Sequence, residues 1–258
     1  MGDKKISMED AIKRKKDGIK KLNGLLESYI NSNDEDKYKK AFNIASWIGA
    51  YSNYLHFESC FVPAKNIAYK RGDVVKVNFG YNLGNELGGI HYAVVIDKEN
   101  KHRSGMLTIV PLSSRKNRIY ERDIDLGNDL YKQLNNKLAT LTQNASDELN
   151  DVHELMSLIK LAEDTDDSPQ TEVLKIREKI IGKQEALYEK ITLLEKMRHE
   201  IEGMKTGSIA KIEQITSISK MRIIDPKQTG NVLHNISLSA TSMKLINARL
   251  KQLYIVEE

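Results

Sequence analysis

Hydrophobic and polar positions follow a helical period in five stretches of the chain. They follow a strand period between the second and third of these stretches, and again between the fourth and fifth. Near the amino end, apolar residues three or four apart predict one helix that Ser7 caps and a second that ends at about Leu55. A polar break at 31–36 separates them. Residues 1–62 therefore predict a helical hairpin.

Three short runs rich in β-branched residues follow, and each predicts a strand. They cover residues 74–79, 92–96 and 106–110. The first two are joined by a loop, 80–89, that holds four glycines. Glycine tolerates positive φ and close approach of the backbone, so this loop is suited to wrap around a ligand.

The strand pattern ends after this region, and two long limbs with helical periodicity follow at 130–162 and 173–201. Apolar residues recur every three or four positions in the first limb, and the second has them seven apart, at Val173, Ile180, Leu187, Leu194 and Ile201. This is heptad patterning, typical of coiled coils. Because residues 163–169 have the composition of a turn, residues 128–205 predict an antiparallel coiled-coil hairpin.

The carboxyl-terminal segment, 206–258, returns to strand patterning before a last helix. Alternation at 209–218 predicts a strand. Ser239 is placed to cap a helix whose apolar residues share one face.

Three ordered blocks in the glycine-loop region resemble the toxins of the MazF and PemK family. They read RGDVV at 71–75, GNELGGIHYAVVI at 84–96 and VPLSS at 110–114, and the later strings SIAKIEQI and SKMRI extend the match. The resemblance implies an α+β fold with a small SH3-like β-barrel. It covers roughly 69–120 and 206–255, so the barrel is expected in 63–127 and 206–258, with the coiled coil inserted between them.

The same resemblance implies a metal-independent endoribonuclease, usually a homodimer, neutralised by a cognate antitoxin. RNA can be cut without a metal when its own 2′-hydroxyl attacks phosphorus, provided that protein groups move protons and stabilise the phosphate charge. The family's catalytic arginine falls on His91, its threonine on Ser113 and its glycine-loop glutamate on Glu86. Histidine can exchange a proton near pH 7 where arginine cannot.

We therefore expect His91 to act as general acid or base, with Glu86 orienting it, Ser113 binding phosphate and Arg115 replacing the missing cation. Expected RNA contacts come from the glycine loop and the end of the third strand: Tyr81, Asn82, Gly84, Gly88, Gly89, Ser114 and Lys116. A structural role remains an alternative for His91, which begins an apolar strand.

The distribution of charge along the chain supports RNA as a partner more strongly than the net charge does. The net charge is only +4, but residues 66–118 hold nine Lys or Arg against four Asp or Glu, and residues 125–205 hold eleven against seventeen. A polyanion is attracted to the first segment and repelled by the second.

Composition also excludes several classes of protein. One cysteine, Cys60, rules out an intramolecular disulfide, and the histidines have no metal-ligand spacing. We therefore expect no metal and no cofactor. No apolar run approaches the ~18 residues of a membrane span, and residues 1–20 are too charged for a signal peptide, which predicts a cytoplasmic protein without a membrane partner.

The sequence thus predicts the toxin of a type II toxin-antitoxin system that cleaves single-stranded RNA. An alternative is an inactive barrel that binds RNA or protein, with the coiled coil as interaction element; the loss of the family's arginine favours it. A third is a gyrase poison on a related barrel. The nuclease hypothesis requires the side chains of His91 and Ser113 to meet in one cleft.

Overall fold

The computed structural model describes residues 6–116, 118–163 and 170–256. The helices in these ranges are α1 (Met8–Ile30), α2 (Glu35–Phe57), α3 (Asp129–Glu163), α4 (Gln170–Glu202) and α5 (Ala240–Tyr254). The strands are β1 (Val74–Asn78), β2 (Ile90–Val95), β3 (Met106–Ser114), β4 (Ile124–Asp125), β5 (Ser208–Ala210), β6 (Thr216–Ser219) and β7 (Ile223–Asp225). Mixed helix and sheet confirm the α+β class.

The described chain divides into two compact units. The first consists of the residues up to Cys60 together with Gly80–Asn85, and the second of Phe61–Phe79 with everything from Glu86 onwards. The 80–85 loop is thus part of the same unit as the amino-terminal helices, an assignment that the sequence pattern did not predict.

The first unit contains the two predicted amino-terminal helices, α1 and α2. Ser7 caps α1 by accepting a hydrogen bond from the Asp10 backbone nitrogen at 3.0 Å, and Asp34 caps α2 by accepting one from the Asp36 nitrogen at the same distance. All residues of α1 are described and none is buried, and α2 buries only Ala41. The unit therefore has little core of its own.

One antiparallel sheet organises the second unit, with strand order β4-β5-β3-β2-β1-β7 and β6 paired with β3. The three predicted strands are confirmed as β1, β2 and β3. The single strand predicted at 209–218 is wrong, because a short 3₁₀ turn, Ile212–Gln214, divides it. That turn buries Ile212 and lets β5 pair with the end of β3 while β6 pairs with its beginning.

Side chains alternate between the two faces of this sheet and form two cores. One face buries Val75, Val77, Ala93, Val95 and Ile109 among themselves and their neighbours. The other buries Val74, Val94, Val110 and Leu112 against helix residues, namely Leu130 and Leu134 of α3, Met197 and Ile201 of α4, and Ile246 of α5. The helices thus cover one face of the sheet.

The two long helices are antiparallel, since Lys183 of α4 pairs with Asp151 of α3 at 2.6 Å and the later Lys190 pairs with the earlier Glu148. The predicted limbs are confirmed as helices, and the predicted turn between them lies outside the described residues. Near the sheet, the Lys137 Nζ of α3 donates hydrogen bonds to the carbonyls of Val232 at 2.8 Å and His234 at 2.7 Å. The base of α3 is therefore fastened to the segment between β7 and α5.

Candidate active site

A cavity of about 420 Å³ opens where the ends of β2 and β3 meet the carboxyl end of α4. Strands β1, β2 and β3 supply one wall and α4 with the residues after it supplies the other. The polar side chains among its lining are those of Lys76, His91, Tyr92, Ser113, Ser114, His199, Glu200, Lys205 and Ser208. Two of the four predicted catalytic residues, His91 and Ser113, lie in it.

Strand register accounts for the meeting of His91 and Ser113. In the β2–β3 ladder, Ala93 is opposite Pro111. Two residues further along an antiparallel pair, His91 falls opposite Ser113 and on the same face of the sheet. Both residues are among those that line the cavity, and that their side chains act together in one cleft remains a prediction.

The Ser113 hydroxyl oxygen is buried and has no hydrogen-bond partner among the described residues. An unsatisfied buried hydroxyl costs about 1–3 kcal/mol, so such groups in folded proteins call for an explanation. A ligand oxygen in the cavity would supply the missing partner.

His91 is about half-buried, and its surroundings favour the neutral imidazole. Burial lowers the pKa of His91 below its ordinary value of 6.5; hydrogen bonds to the backbone of Gly88 and Leu112 oppose that shift, and the nearby positive charge of Lys116 adds to it. The ring also lies edge-on to Phe79, with centroids 6.4 Å apart. A neutral imidazole at pH 7 can accept a proton from a substrate hydroxyl.

Glu86 and Arg115 lie outside the lining of the cavity. Glu86 is exposed, and the groups that orient the imidazole are the Gly88 and Leu112 backbones. The Arg115 guanidinium forms an ion pair with Asp125 at 3.0 Å, and its aliphatic part packs against Gly207, where a Cβ would lie 2.9 Å from the Arg115 Cβ. Arg115 is thus engaged at the β4–β5 edge of the sheet.

The expected RNA contacts divide between the two units. Ser114 lines the cavity, and Gly89, with φ +86°, would place a Cβ 4.0 Å from the His91 Nε2. Tyr81, Asn82 and Gly84 belong to the first unit.

In that first unit, the loop is held by α2. The Trp47 ring lies so close to Gly80 that a Cβ there would approach it to 2.6 Å. The Lys40 ammonium lies 5.3 Å from the Tyr29 ring centroid, and its pKa is raised by interactions with Tyr29 and Tyr81. The loop's conformation is therefore tied to the amino-terminal helices.

Sequence reasoning missed a polar cluster in the cavity wall. The Glu200 carboxylate of α4 accepts hydrogen bonds from the Lys76 Nζ at 2.6 and 2.9 Å and from the Tyr92 hydroxyl. Burial would raise the pKa of Glu200, but the hydrogen bonds from Lys76 and Tyr92 outweigh it and hold the pKa below its usual value. Burial and the Glu200 charge both raise the pKa of Tyr92.

We call the group formed by Lys76, Tyr92 and Glu200 the clasp, because this group joins the sheet to α4. One signal pointed to it: Lys76 is a charge inside an otherwise apolar strand and so needs a partner. The spacing of residues in the sequence does not show that this partner lies 124 residues away.

Among the described residues, no cluster of three or more His, Cys, Asp or Glu side chains is arranged to hold a metal ion. None of the helices in the same ranges has both the length and the apolar character needed to cross a membrane.

Comparison with known families gives a match over part of the chain. Residues 70–151 match the family described as PemK-like, MazF-like toxin of type II toxin-antitoxin system. That segment contains β1 to β4 and the first part of α3. A comparison with curated proteins found no match.

Proposed function

We propose, from the domain of the PemK-like, MazF-like toxin family that this chain carries at residues 70–151, that the protein is the toxin of a type II toxin-antitoxin system and acts as an endoribonuclease. Its substrate is single-stranded RNA, including mRNA, and its reaction is metal-independent attack of a 2′-hydroxyl on the neighbouring phosphorus.

The observation that carries this proposal is that one cavity is lined by His91 and by Ser113, whose hydroxyl has no hydrogen-bond partner among the described residues. Neutral His91 takes the proton of the 2′-hydroxyl as its oxygen bonds to phosphorus. The bond to the 5′-oxygen then breaks, leaving a 2′,3′-cyclic phosphate, and the 5′-oxygen takes a proton from solvent. The Ser113 hydroxyl donates a hydrogen bond to a phosphate oxygen as negative charge grows there.

The remaining charges take roles that differ from the expected ones. Lys116, like Arg115, lies outside the cavity lining, but its positive charge is near enough to lower the pKa of His91, so it is the better placed of the two to attract the phosphate. The backbone of Gly88 and Leu112 orients the imidazole in place of Glu86. Arg115 and Glu86 then act from outside the cavity, through the structure that surrounds it.

Several finer expectations belong to this proposal. The sheet of the second unit is the family's SH3-like barrel, interrupted by α3 and α4, which pack as a coiled coil. The domain limits remain 1–62, 63–127, 128–205 and 206–258. The protein works in the cytoplasm, where its RNA and a cognate antitoxin are found, and it pairs with a second copy of itself.

A second candidate function is an inactive domain that binds RNA or protein through the inserted helices. The replacement of the family's arginine by His91, together with the Arg115–Asp125 ion pair, favours it. Binding and cleavage are separable, so one assay can distinguish the two functions.

The test is incubation of the purified protein with a long single-stranded RNA in EDTA, beside His91→Ala and Ser113→Ala variants. Discrete cuts with cyclic phosphate and 5′-hydroxyl ends, lost or strongly reduced in both variants, are expected. RNA that is bound but remains intact would favour the second candidate function instead.

A further inference from the structure

We infer that the carboxyl end of α4 is a second RNA-binding wall of the cavity, in which Lys205 binds a backbone phosphate and His199 contacts the adjacent nucleotide. The inference rests on the proposed function and extends it, since these residues lie in the inserted hairpin, beyond the segment that matches the toxin family.

The lining of the cavity includes residues of both the sheet and α4. His91 and Ser113 lie on the sheet side, and His199, Met204 and Lys205 lie on the α4 side. The cavity volume of about 420 Å³ is within the ~300–1,000 Å³ range of ligand pockets. A nucleotide that enters the cavity would therefore meet residues of α4.

The charge of the helical wall also suits a phosphate. Glu200 is the acidic side chain among the lining residues, and its carboxylate is neutralised by the Lys76 Nζ at 2.6 Å. That pairing leaves the Lys205 ammonium as the uncompensated charge on this wall. Lysine serves as a point charge for phosphate, with counterion release as the driving force.

A purely structural role does not account for His199 and Lys205. The packing of this end of α4 is provided by Met197 and Ile201, which are buried against the sheet. His199 and Lys205 are exposed, and His199 lies near enough to Glu200 for its charge to help lower the pKa of that carboxylate. The clasp joins this end of α4 to the sheet, and both residues are among those that line the cavity.

The experiment measures binding separately from cleavage. A fluorescently labelled pool of 2′-O-methyl RNA oligonucleotides, which cannot be cut by 2′-hydroxyl attack, is titrated with the full-length protein and followed by anisotropy at several salt concentrations. The variants are Lys205→Ala and His199→Ala. Matched controls are Lys196→Ala and Arg198→Ala, exposed positions of α4 that do not line the cavity.

Lys205→Ala is expected to weaken binding about 3- to 10-fold at low salt and to reduce the slope of log K against log salt by ~0.7, the value for one phosphate contact on a single strand. His199→Ala is expected to weaken binding about 2- to 5-fold, a size typical of one polar or stacking contact in water. Both controls should bind within about 2-fold of wild type, apart from a weak general salt effect. Melting curves of all four verify that each variant is folded.

Wild-type affinity in Lys205→Ala, in a protein that still cleaves RNA, would overturn this inference and leave the nuclease intact. Equal losses in Lys196→Ala and Lys205→Ala would overturn it as well, since binding would then be spread over the helix surface. Wild-type protein that neither binds nor cuts RNA would overturn the inference together with the proposed function.

Discussion

The two walls of the cavity differ in how the chain produces them. The sheet wall arises from neighbouring strands, where one register places His91 opposite Ser113. The helix wall arises from a residue of α4, Glu200, that returns to the sheet and pairs with Lys76, 124 residues earlier. Local pairing therefore fixes the proposed chemistry, whereas long-range packing of the inserted helix shapes the space around it.

The walls also differ in whether their polar side chains have hydrogen-bond partners. On the sheet wall, the Ser113 hydroxyl has no described partner and burial holds His91 toward its neutral form. On the helix wall, Glu200 is satisfied by two donors. We interpret the sheet wall as the reactive side and the clasp as its support, and the following predictions test that division.

The largest expected effect is on the sheet wall. His91→Ala should lower the cleavage rate by about 10²- to 10⁴-fold, the contribution of a general base, while RNA binding changes little. Single-turnover cleavage with protein in excess measures this rate directly. A loss of binding equal to the loss of rate would instead show that His91 only holds the substrate.

The pH dependence of the rate is the next largest effect. Because burial lowers the pKa of His91 below 6.5, the imidazole stays neutral down to a pH below that value. The rate should be level above pH 6.5 and fall about tenfold per pH unit once the pH passes below the folded pKa. A rate that falls between pH 8 and pH 7 would contradict the assignment.

On the helix wall, Glu200→Ala removes both clasp bonds and leaves Lys76 part-buried without its carboxylate. The expected loss of unfolding free energy is about 1.5–3 kcal/mol, as for hydrogen bonds to charged groups. Thermal melting should show a decrease of roughly 3–10 °C for a chain of this size. Glu195→Ala, at an exposed position of α4, is the matched control and should melt near wild type.

The smallest effect is expected at Arg115. Its side chain is 56% exposed and paired with Asp125, so Arg115→Ala should cost only about 0.2–1 kcal/mol of stability. Cleavage should stay within about 3-fold of wild type, since the guanidinium lies outside the cavity lining. A rate loss of 100-fold or more would restore Arg115 as the replacement cation.

Sequence reasoning predicted the parts of the fold that depend on local pattern. Periodicity identified the helices and the first three strands, and capping residues such as Ser7 and Ser239 fixed helix starts. The 3₁₀ turn at Ile212–Gln214 was missed, because every second residue from Ile212 to Ile218 was interpreted as one face of a single strand. Periodicity alone does not show where a chain leaves one pairing partner for another.

In the candidate site, too, the sequence predicted what depends on local motifs. The ordered motifs singled out His91 and Ser113, which line one cavity. Arg115 was two residues from Ser113 and so seemed near, but alternation alone does not show that its guanidinium pairs with Asp125 at the sheet edge. The clasp depends on how α4 returns to the sheet, and no local pattern encodes that.

The central claim is that RNA is cut in this cavity by its own 2′-hydroxyl, activated by His91. The most direct measurement places a single 2′-deoxynucleotide at a mapped cut site, in otherwise unchanged RNA, and compares cleavage there by the wild-type protein in EDTA. Cleavage at that site should disappear while neighbouring sites are still cut, because the attacking hydroxyl is gone. Continued cleavage at the deoxy position would mean that water or a protein group attacks the phosphorus, which would contradict the proposed mechanism.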